Sequence, residues 1–356
     1  MKSLRWLTLL VVPAVLAALP ACGNKSNKLK VAFVSNNAFE FWKIAENGAR
    51  AAENELGDVE VEFRMPPRGT VAEQRKLIEG LLAKGVKAIA VSPKNVDSQI
   101  DFYRDVNEKV PLLMVDSDVD EKKDASALEV RRCYLGTNNV EAGEAVGELL
   151  KQAIPDGGKF VIFVGALDVL NAQQRREGVC VSLAGGRDKA ADELERVVNN
   201  KYPARFGKYE LVDTTTDDSD QATCRRKVDQ TLAKDKKKEL SAFVGLWAYN
   251  PPAMLEGVKA FEEGSRLDKL ALIGFDENEE TLQGIKDGHV IGTVVQSPYK
   301  FGYESVKIMA SLARGEDSIL KKYNPDKNGR IWVPHRVITK KNVEEFHKEL
   351  KRLKGS

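Results

Sequence analysis

Leu270-Ala271-Leu272-Ile273-Gly274-Phe275-Asp276 is a short apolar run that ends in an acid. A helix-patterned segment follows over 279–286, and then a second apolar run, Ile291-Gly292-Thr293-Val294-Val295-Gln296, ends in an amide. Apolar strand, amphipathic helix and apolar strand make one β-α-β unit. Strands without polar alternation belong to parallel sheets with helices on both faces. The rhythm continues in both directions. Strands are expected over 29–35, 59–63, 88–91, 112–115, 134–135, 160–164, 209–212 and 242–246. Helices are expected over 41–56, 71–83, 97–108, 140–153, 173–184, 221–233, 253–263 and 301–313. This is too many strands for one sheet of ordinary size, so the fold class is α/β with two doubly wound parallel-sheet domains. The polar stretch 187–206 reads as an inserted surface loop or helix.

In open parallel sheets, ligands sit beyond the carboxyl ends of the strands. The residues there are Ser35 with Asn36 and Asn37, Ser92, Asp116, Asp168 a few residues late, Asp213, Asn250, Asp276 and Gln296. Any one of these is an ordinary turn or cap residue. Together they supply many hydrogen-bond donors and acceptors and few reactive groups. That mixture suits a sugar, whose hydroxyls both donate and accept. The C–H faces of a sugar ring pack on aromatic rings, and Phe41, Trp42, Trp247 and Tyr249 adjoin these strand ends. The competing reading for Trp42 and Trp247 is core packing.

The N-terminus is read separately. Lys2 and Arg5 precede an uncharged apolar run from Trp6 to Leu19, the layout of a secretory signal. The run is shorter than the roughly 20 residues a membrane span needs. It ends in Leu19-Pro20-Ala21-Cys22, similar to a bacterial lipobox, with Pro20 where a small residue is usual. The expectation is a signal peptide over 1–21, lipid on Cys22, and a polar tether over 22–28. The chain has 55 basic and 53 acidic side chains. Removing Lys2 and Arg5 brings these into balance, which does not favour nucleic acid.

Catalytic signatures are thin. His289, His335 and His347 lack ligand spacing, and neither a GxSxG elbow nor a phosphate loop follows a strand. Asp116-Ser117-Asp118 could serve as the metal-binding DxD of a glycosyltransferase. Asp116, Asp118 and Asp120 could open a calcium loop, but Glu121 and Ala127 stand where that loop needs glycine and glutamate. No metal or other cofactor is expected, and no enzyme activity. Cys133, Cys180 and Cys224 read as buried thiols or one bridge with a thiol left over.

Several of these segments resemble the type I periplasmic sugar-binding proteins, of which ribose-binding proteins are the familiar branch. They are Val31–Trp42 with its polar loop and aromatic pair, Tyr134–Asn139 followed by Ala142-Gly143, Ile273-Gly274-Phe275-Asp276, and Thr293–Gln296 followed by Pro298 and Gly302. The resemblance covers about residues 29–340. It implies two lobes joined by a three-segment hinge. The N-terminal lobe would be 29–137 plus 297–334, and the C-terminal lobe 138–296 plus 335–356. It also implies ligand contacts at Ser35, Phe41, Trp42, Ser92, Asp116, Arg175, Asn250, Asp276 and Gln296. Asn37 is added from its place in the first loop, and Arg176 is the register alternative to Arg175. Ser117 stands where the family often has arginine, a departure that bears on ribose itself. The implied function is capture of a monosaccharide by a lipid-anchored monomer on the extracytoplasmic face of a bacterial membrane. The sugar would pass to an ABC permease. A sensor of the same fold, signalling to a membrane kinase or chemoreceptor, is the alternative.

Overall fold

Alternate residues of each central strand feed two different cores. Val31 and Phe33 pack on one face of a sheet while Ala32 and Val34 pack on the other. Phe160, Ile162 and Val164 divide from Val161 and Phe163 in the same way in a second sheet. All nine are essentially inaccessible to solvent. Each large side chain so buried is worth roughly 1.5–3 kcal/mol, so neither face can be left bare.

The computed structural model describes residues 28–355. The expected signal peptide over 1–21, Cys22 and the expected tether as far as Asn27 lie outside the described residues. In chain order the strands are β1 (Leu29–Val34), β2 (Val59–Arg64), β3 (Ile89–Val91), β4 (Leu112–Val115), β5 (Cys133–Gly136), β6 (Gly158–Val164), β7 (Ala204–Phe206), β8 (Tyr209–Thr216), β9 (Leu240–Gly245), β10 (Ala271–Phe275), β11 (Gly292–Val295), β12 (Arg330–Trp332) and β13 (Arg336–Thr339). They form a six-stranded sheet, β12-β5-β4-β3-β1-β2, and a seven-stranded sheet, β13-β11-β10-β9-β6-β8-β7. Among the described residues, only the edge strands β7 and β13 pair antiparallel. The chain passes between the sheets after β5, after β11 and between β12 and β13. This is the two-domain type I periplasmic binding protein fold.

Caps set where helices begin beside the strand ends. Thr70 and Glu73 form a capping box before Val71–Ala83. The side chains of Asn138 and Asn278 accept from Glu141 N–H and Glu280 N–H ahead of Asn139–Ala153 and Glu279–Asp287. The C-terminal helix Val343–Lys354 reaches the other lobe. Asn47 Nδ2 donates to Leu353 O at 2.9 Å, and Lys354 Nζ lies 3.0 Å from Glu40 Oε1.

The segment 187–206 is a helix over Arg187–Val198, one of its two expected forms, and ends in an edge strand, β7, that was not expected. One expectation needs correction. β8 runs four residues past the expected end, so Asp213 lies exposed within the strand and Asp217 follows its end. The register of the β6–β8 pairing shifts between Leu211 and Asp213, and exposed Asp213 breaks the apolar run in mid-strand. No helix among the described residues is long and apolar enough to cross a membrane.

Candidate ligand-binding site

Asp116 and Asp276 follow equivalent strands, β4 and β10, and share one geometry. Their φ angles are +65° and +64°, the left-handed region that non-glycine residues seldom occupy. Asp116 N–H donates to Leu135 O at 3.1 Å, and Asp276 N–H to Val294 O at 2.7 Å. Each backbone carbonyl accepts a hydroxyl from the neighbouring strand: Tyr134 to Asp116 at 2.8 Å, Thr293 to Asp276 at 2.9 Å. The chain thus turns sharply at both points, and both carboxylates are buried. Burial pushes the Asp116 carboxyl up to about 6. The charge of Arg175 opposes that rise, and the charge of Asp276 adds to it. Burial likewise raises Asp276, against Arg175 and a hydrogen bond from Gln296.

Arg175 is buried on the helix Leu170–Ala184. Its Nε donates to Asn139 Oδ1 at 2.9 Å and Nη1 to Leu246 O at 3.0 Å. Its guanidinium lies 3.9 Å from the Phe275 ring centroid, and Nη1 is 3.9 Å from Asp276 Oδ2. Gly143 permits this: a Cβ there would sit 2.2 Å from the Arg175 carbonyl, so the two helices could not approach as they do. Gln296 Nε2 donates to Asp276 Oδ1 at 2.9 Å. Arg176 points elsewhere, donating to Asn200 Oδ1 and Tyr202 OH. Of the two register choices, Arg175 is the one beside Asp276.

In the first lobe, Asn36 ties the aromatic pair to the next strand. Trp42 Nε1 donates to Asn36 Oδ1 at 2.9 Å, and Asn36 Nδ2 to Ser92 Oγ at 3.1 Å. Trp42 is only 2% exposed and packs in the core against Phe33, while Phe41 is partly buried with its ring edge-on to Trp42. Ser35 Oγ donates to Asn37 O, and Asn37 Oδ1 accepts from Phe39 N–H, which shapes the loop. Buried Gln74 donates to the carbonyls of Ser35 and Ser92 at 2.8 Å each.

Asn250 is fully buried. It accepts from Trp247 N–H and donates to Asp217 Oδ2 at 3.0 Å, so it holds the 246–250 turn. Burial raises Asp217, against a hydrogen bond from Tyr249. Gly165 leaves room for the Trp247 ring, which a Cβ would meet at 2.0 Å. Asp168 is exposed.

Four residues that the strand-end reading passed over line a narrow crevice between the lobes. Tyr134 and Trp332 come from the first sheet, Asn171 and Gln174 from the helix that carries Arg175. Asp116 and Asn139 share the crevice. Spacing offers a signal for one of them, because Asn171 lies one helical turn before Arg175. Buried polar atoms without a protein partner in this region include Asn171 Oδ1, Gln296 Oε1 and Trp247 Nε1.

Asp118 is occupied. Arg131 grips it through two bonds of 2.6 and 2.8 Å, and Arg330 Nε adds a third at 2.8 Å. No group of three or more potential metal ligands is found among the described residues. Cys133, Cys180 and Cys224 are free, buried thiols, each pushed up to about 12 by burial.

The sequence model of the periplasmic binding protein domain matches residues 31–317. A D-ribose/D-allose-binding protein of Pseudomonas aeruginosa is 22% identical over 349 residues, covering 95% of this chain and 98% of that protein. A ribose import binding protein of Haemophilus influenzae is 22% identical, covering 89% and 95%. Among solved structures, a Burkholderia graminis ABC transporter solute binding protein in complex with D-arabinose superposes with a TM-score of 0.72 at 25% identity, covering 89% and 97%. A Bacillus halodurans ABC transporter solute binding protein with bound myo-inositol gives 0.73 at 20% identity, covering 92% and 99%.

Proposed function

Because the chain belongs to the periplasmic binding protein domain family, we propose that it captures a monosaccharide between its lobes and delivers it to an ABC permease, without catalysis. The observation that carries this reading is the unfilled hydrogen-bonding capacity at the meeting strand ends. Asn171 Oδ1, Gln296 Oε1 and Trp247 Nε1 are buried without protein partners, and unsatisfied buried groups cost roughly 1–3 kcal/mol each. A polyhydroxyl ligand supplies donors for the first two and an acceptor for the third. Asp116, Asp276 and Arg175 add charged partners to the same ligand. The named ligands of the relatives, ribose, allose, arabinose and inositol, are all small polyols.

In this reading the lobes run over 29–137 with 297–334 and over 138–296 with 335–356. Ligand touches both lobes at once and so stabilises the closed form. Asp116 serves from the first lobe, Arg175, Asp276 and Gln296 from the second and the hinge. Ser35, Asn37, Phe41, Trp42 and Ser92 shape the first lobe's wall, and Asn250 the second's. The protein works as a monomer outside the cytoplasm, held to a membrane by lipid on Cys22, which mass measurement of detergent-extracted protein checks.

The test is a thermal-shift screen of pentoses, hexoses and cyclic polyols, followed by calorimetric titration of the best ligand. A ligand well above its Kd raises the melting point. Charged hydrogen bonds contribute roughly 1.5–3 kcal/mol, so Asp276→Ala and Arg175→Ala should each weaken binding by about 10- to 100-fold, with the fold retained. A screen in which no sugar or polyol shifts melting would sink this reading.

A further inference from the structure

We propose that Trp332 and Asn171 form a hinge-side subsite for one face of a cyclic polyol, an assignment that rests on the sugar-binding reading above. The apolar C–H face of the ring lies on the indole, and one ring hydroxyl donates to Asn171 Oδ1.

Trp332 is the last residue of β12 in the first sheet, immediately before the chain crosses to β13. It is 40% exposed, whereas Trp42 is 2% exposed and its indole N–H is already used by Asn36. Its own surroundings hold the indole in place. The Tyr134 ring meets it edge-on at 5.7 Å, and the Arg330 guanidinium lies 6.0 Å from its centroid. Arg330 is itself fixed by Asp118. The indole is therefore a braced platform rather than a loose surface side chain.

Across the crevice stands Asn171, on the helix that carries Arg175. It is only 7% exposed, and its Oδ1 is buried with no protein donor. An apolar ring face on one side and an unmet acceptor on the other are what the two sides of a sugar or cyclitol ring satisfy. The two residues come from opposite lobes, and the crevice as it stands is too narrow for a ring, so the ring enters as the lobes part and is gripped as they close on it. Asp116 lines the same crevice, which places the subsite alongside the charged cluster of Asp276, Arg175 and Gln296.

The experiment uses the sugar or polyol that gives the largest melting shift with the unmodified protein. Calorimetric titration is run on Trp332→Ala, Trp332→Phe, Asn171→Ala and Asn171→Asp, with ligand-free melting curves for each. Trp332→Ala and Asn171→Ala should each weaken binding by about 10-fold, as loss of an aromatic platform or of one buried hydrogen bond does. Trp332→Phe and Asn171→Asp, which keep a ring and an acceptor, should recover part of that loss. Intrinsic fluorescence of the unmodified protein should change on ligand saturation, and the change should shrink in Trp332→Phe. Unchanged affinity in both alanine variants would overturn the subsite while leaving sugar binding intact. A screen in which no sugar or polyol binds the unmodified protein would overturn the function and the subsite together.

Discussion

Each lobe presents two acids at its central strand end, and the lobes treat the second acid in opposite ways. In the first lobe the acids are Asp116 and Asp118; in the second they are Asp276 and Glu277. The leading aspartates match in φ, in backbone hydrogen bonding and in the hydroxyl that holds the carbonyl. The trailing acids do not match. Asp118 is gripped by Arg131 and Arg330. Both carboxylate oxygens of Glu277 are buried with no hydrogen-bond partner. Burial drives Glu277 well above the usual carboxylate range and the charge of Asp276 adds to this; an interaction with its own backbone N–H and the charges of Lys354 and Arg336 only partly oppose it. The backbone turn that aims the leading acid is thus repeated in both lobes, while compensation of the acid behind it is not.

The largest consequence lies in the first lobe. Asp118→Ala leaves Arg131 buried without its carboxylate and removes one partner of Arg330. Breaking a buried ion pair from one side typically costs about 3–5 kcal/mol. Denaturant unfolding should register a loss of that size. Asp276→Ala should cost much less stability, because Arg175 keeps its bonds to Asn139 and Leu246. A loss at Asp118 no larger than that at Asp276 would contradict the contrast between the lobes.

How much of this was legible in the sequence depended on the interaction involved. Period-two burial on both faces follows from the apolar runs alone, so β1, β6 and β10 were readable at once. Strand ends were readable where the apolar run stops abruptly, as at Phe275 before Asp276. At β8, where outward Asp213 interrupts the run, the end was read four residues early. The C-terminal strands and helix were missed because β12 and β13 are only three and four residues long, too short for a pattern. Trp332 and Asn171 are not legible as site residues, because one ends a strand of only three residues and the other lies on a helix. Their meeting is a product of how two distant segments pack. The division of labour between Arg175 and Arg176 likewise depends on helix rotation, fixed by the close approach at Gly143.

Glu277 gives the next effect. A carboxyl whose folded-state pKa is raised favours the native state while it is protonated, and that contribution is lost as pH rises through the raised value. Glu277→Gln removes the ionisation. At pH 7–8 the variant should be more stable than the unmodified protein, because it takes up no proton on folding; each pH unit above the ordinary glutamate pKa and below the raised one is worth about 1.4 kcal/mol. The gap should narrow as pH falls toward the ordinary glutamate range. Melting curves from pH 4 to 8 for both proteins test this. Asp116, pushed up to about 6, leaves a residual decline of the same sign between about pH 4 and 6. A variant less stable than the unmodified protein at pH 8 would mean that Glu277 is compensated after all, and the asymmetry would vanish.

The smallest effect probes what the two lobes share. Tyr134 and Thr293 each lend a hydroxyl to the carbonyl of a left-handed aspartate, at 2.8 and 2.9 Å. Both side chains are buried, so neither hydroxyl is readily replaced by water. Tyr134→Phe and Thr293→Val each delete one such bond with almost no change of shape. The expected loss is about 0.5–1.5 kcal/mol in either variant, the net value of a single intramolecular hydrogen bond. The two sites are on separate sheets and share no partner, so the double variant should lose the sum of the two. Because the bond holds backbone rather than ligand, sugar affinity should fall only as far as each aspartate's aim is loosened. Denaturant unfolding of the three variants decides the matter. If one hydroxyl carries a full bond's worth and the other none, the two turns share a geometry but not an energy. The strain of the left-handed aspartate is then relieved by different means in each lobe.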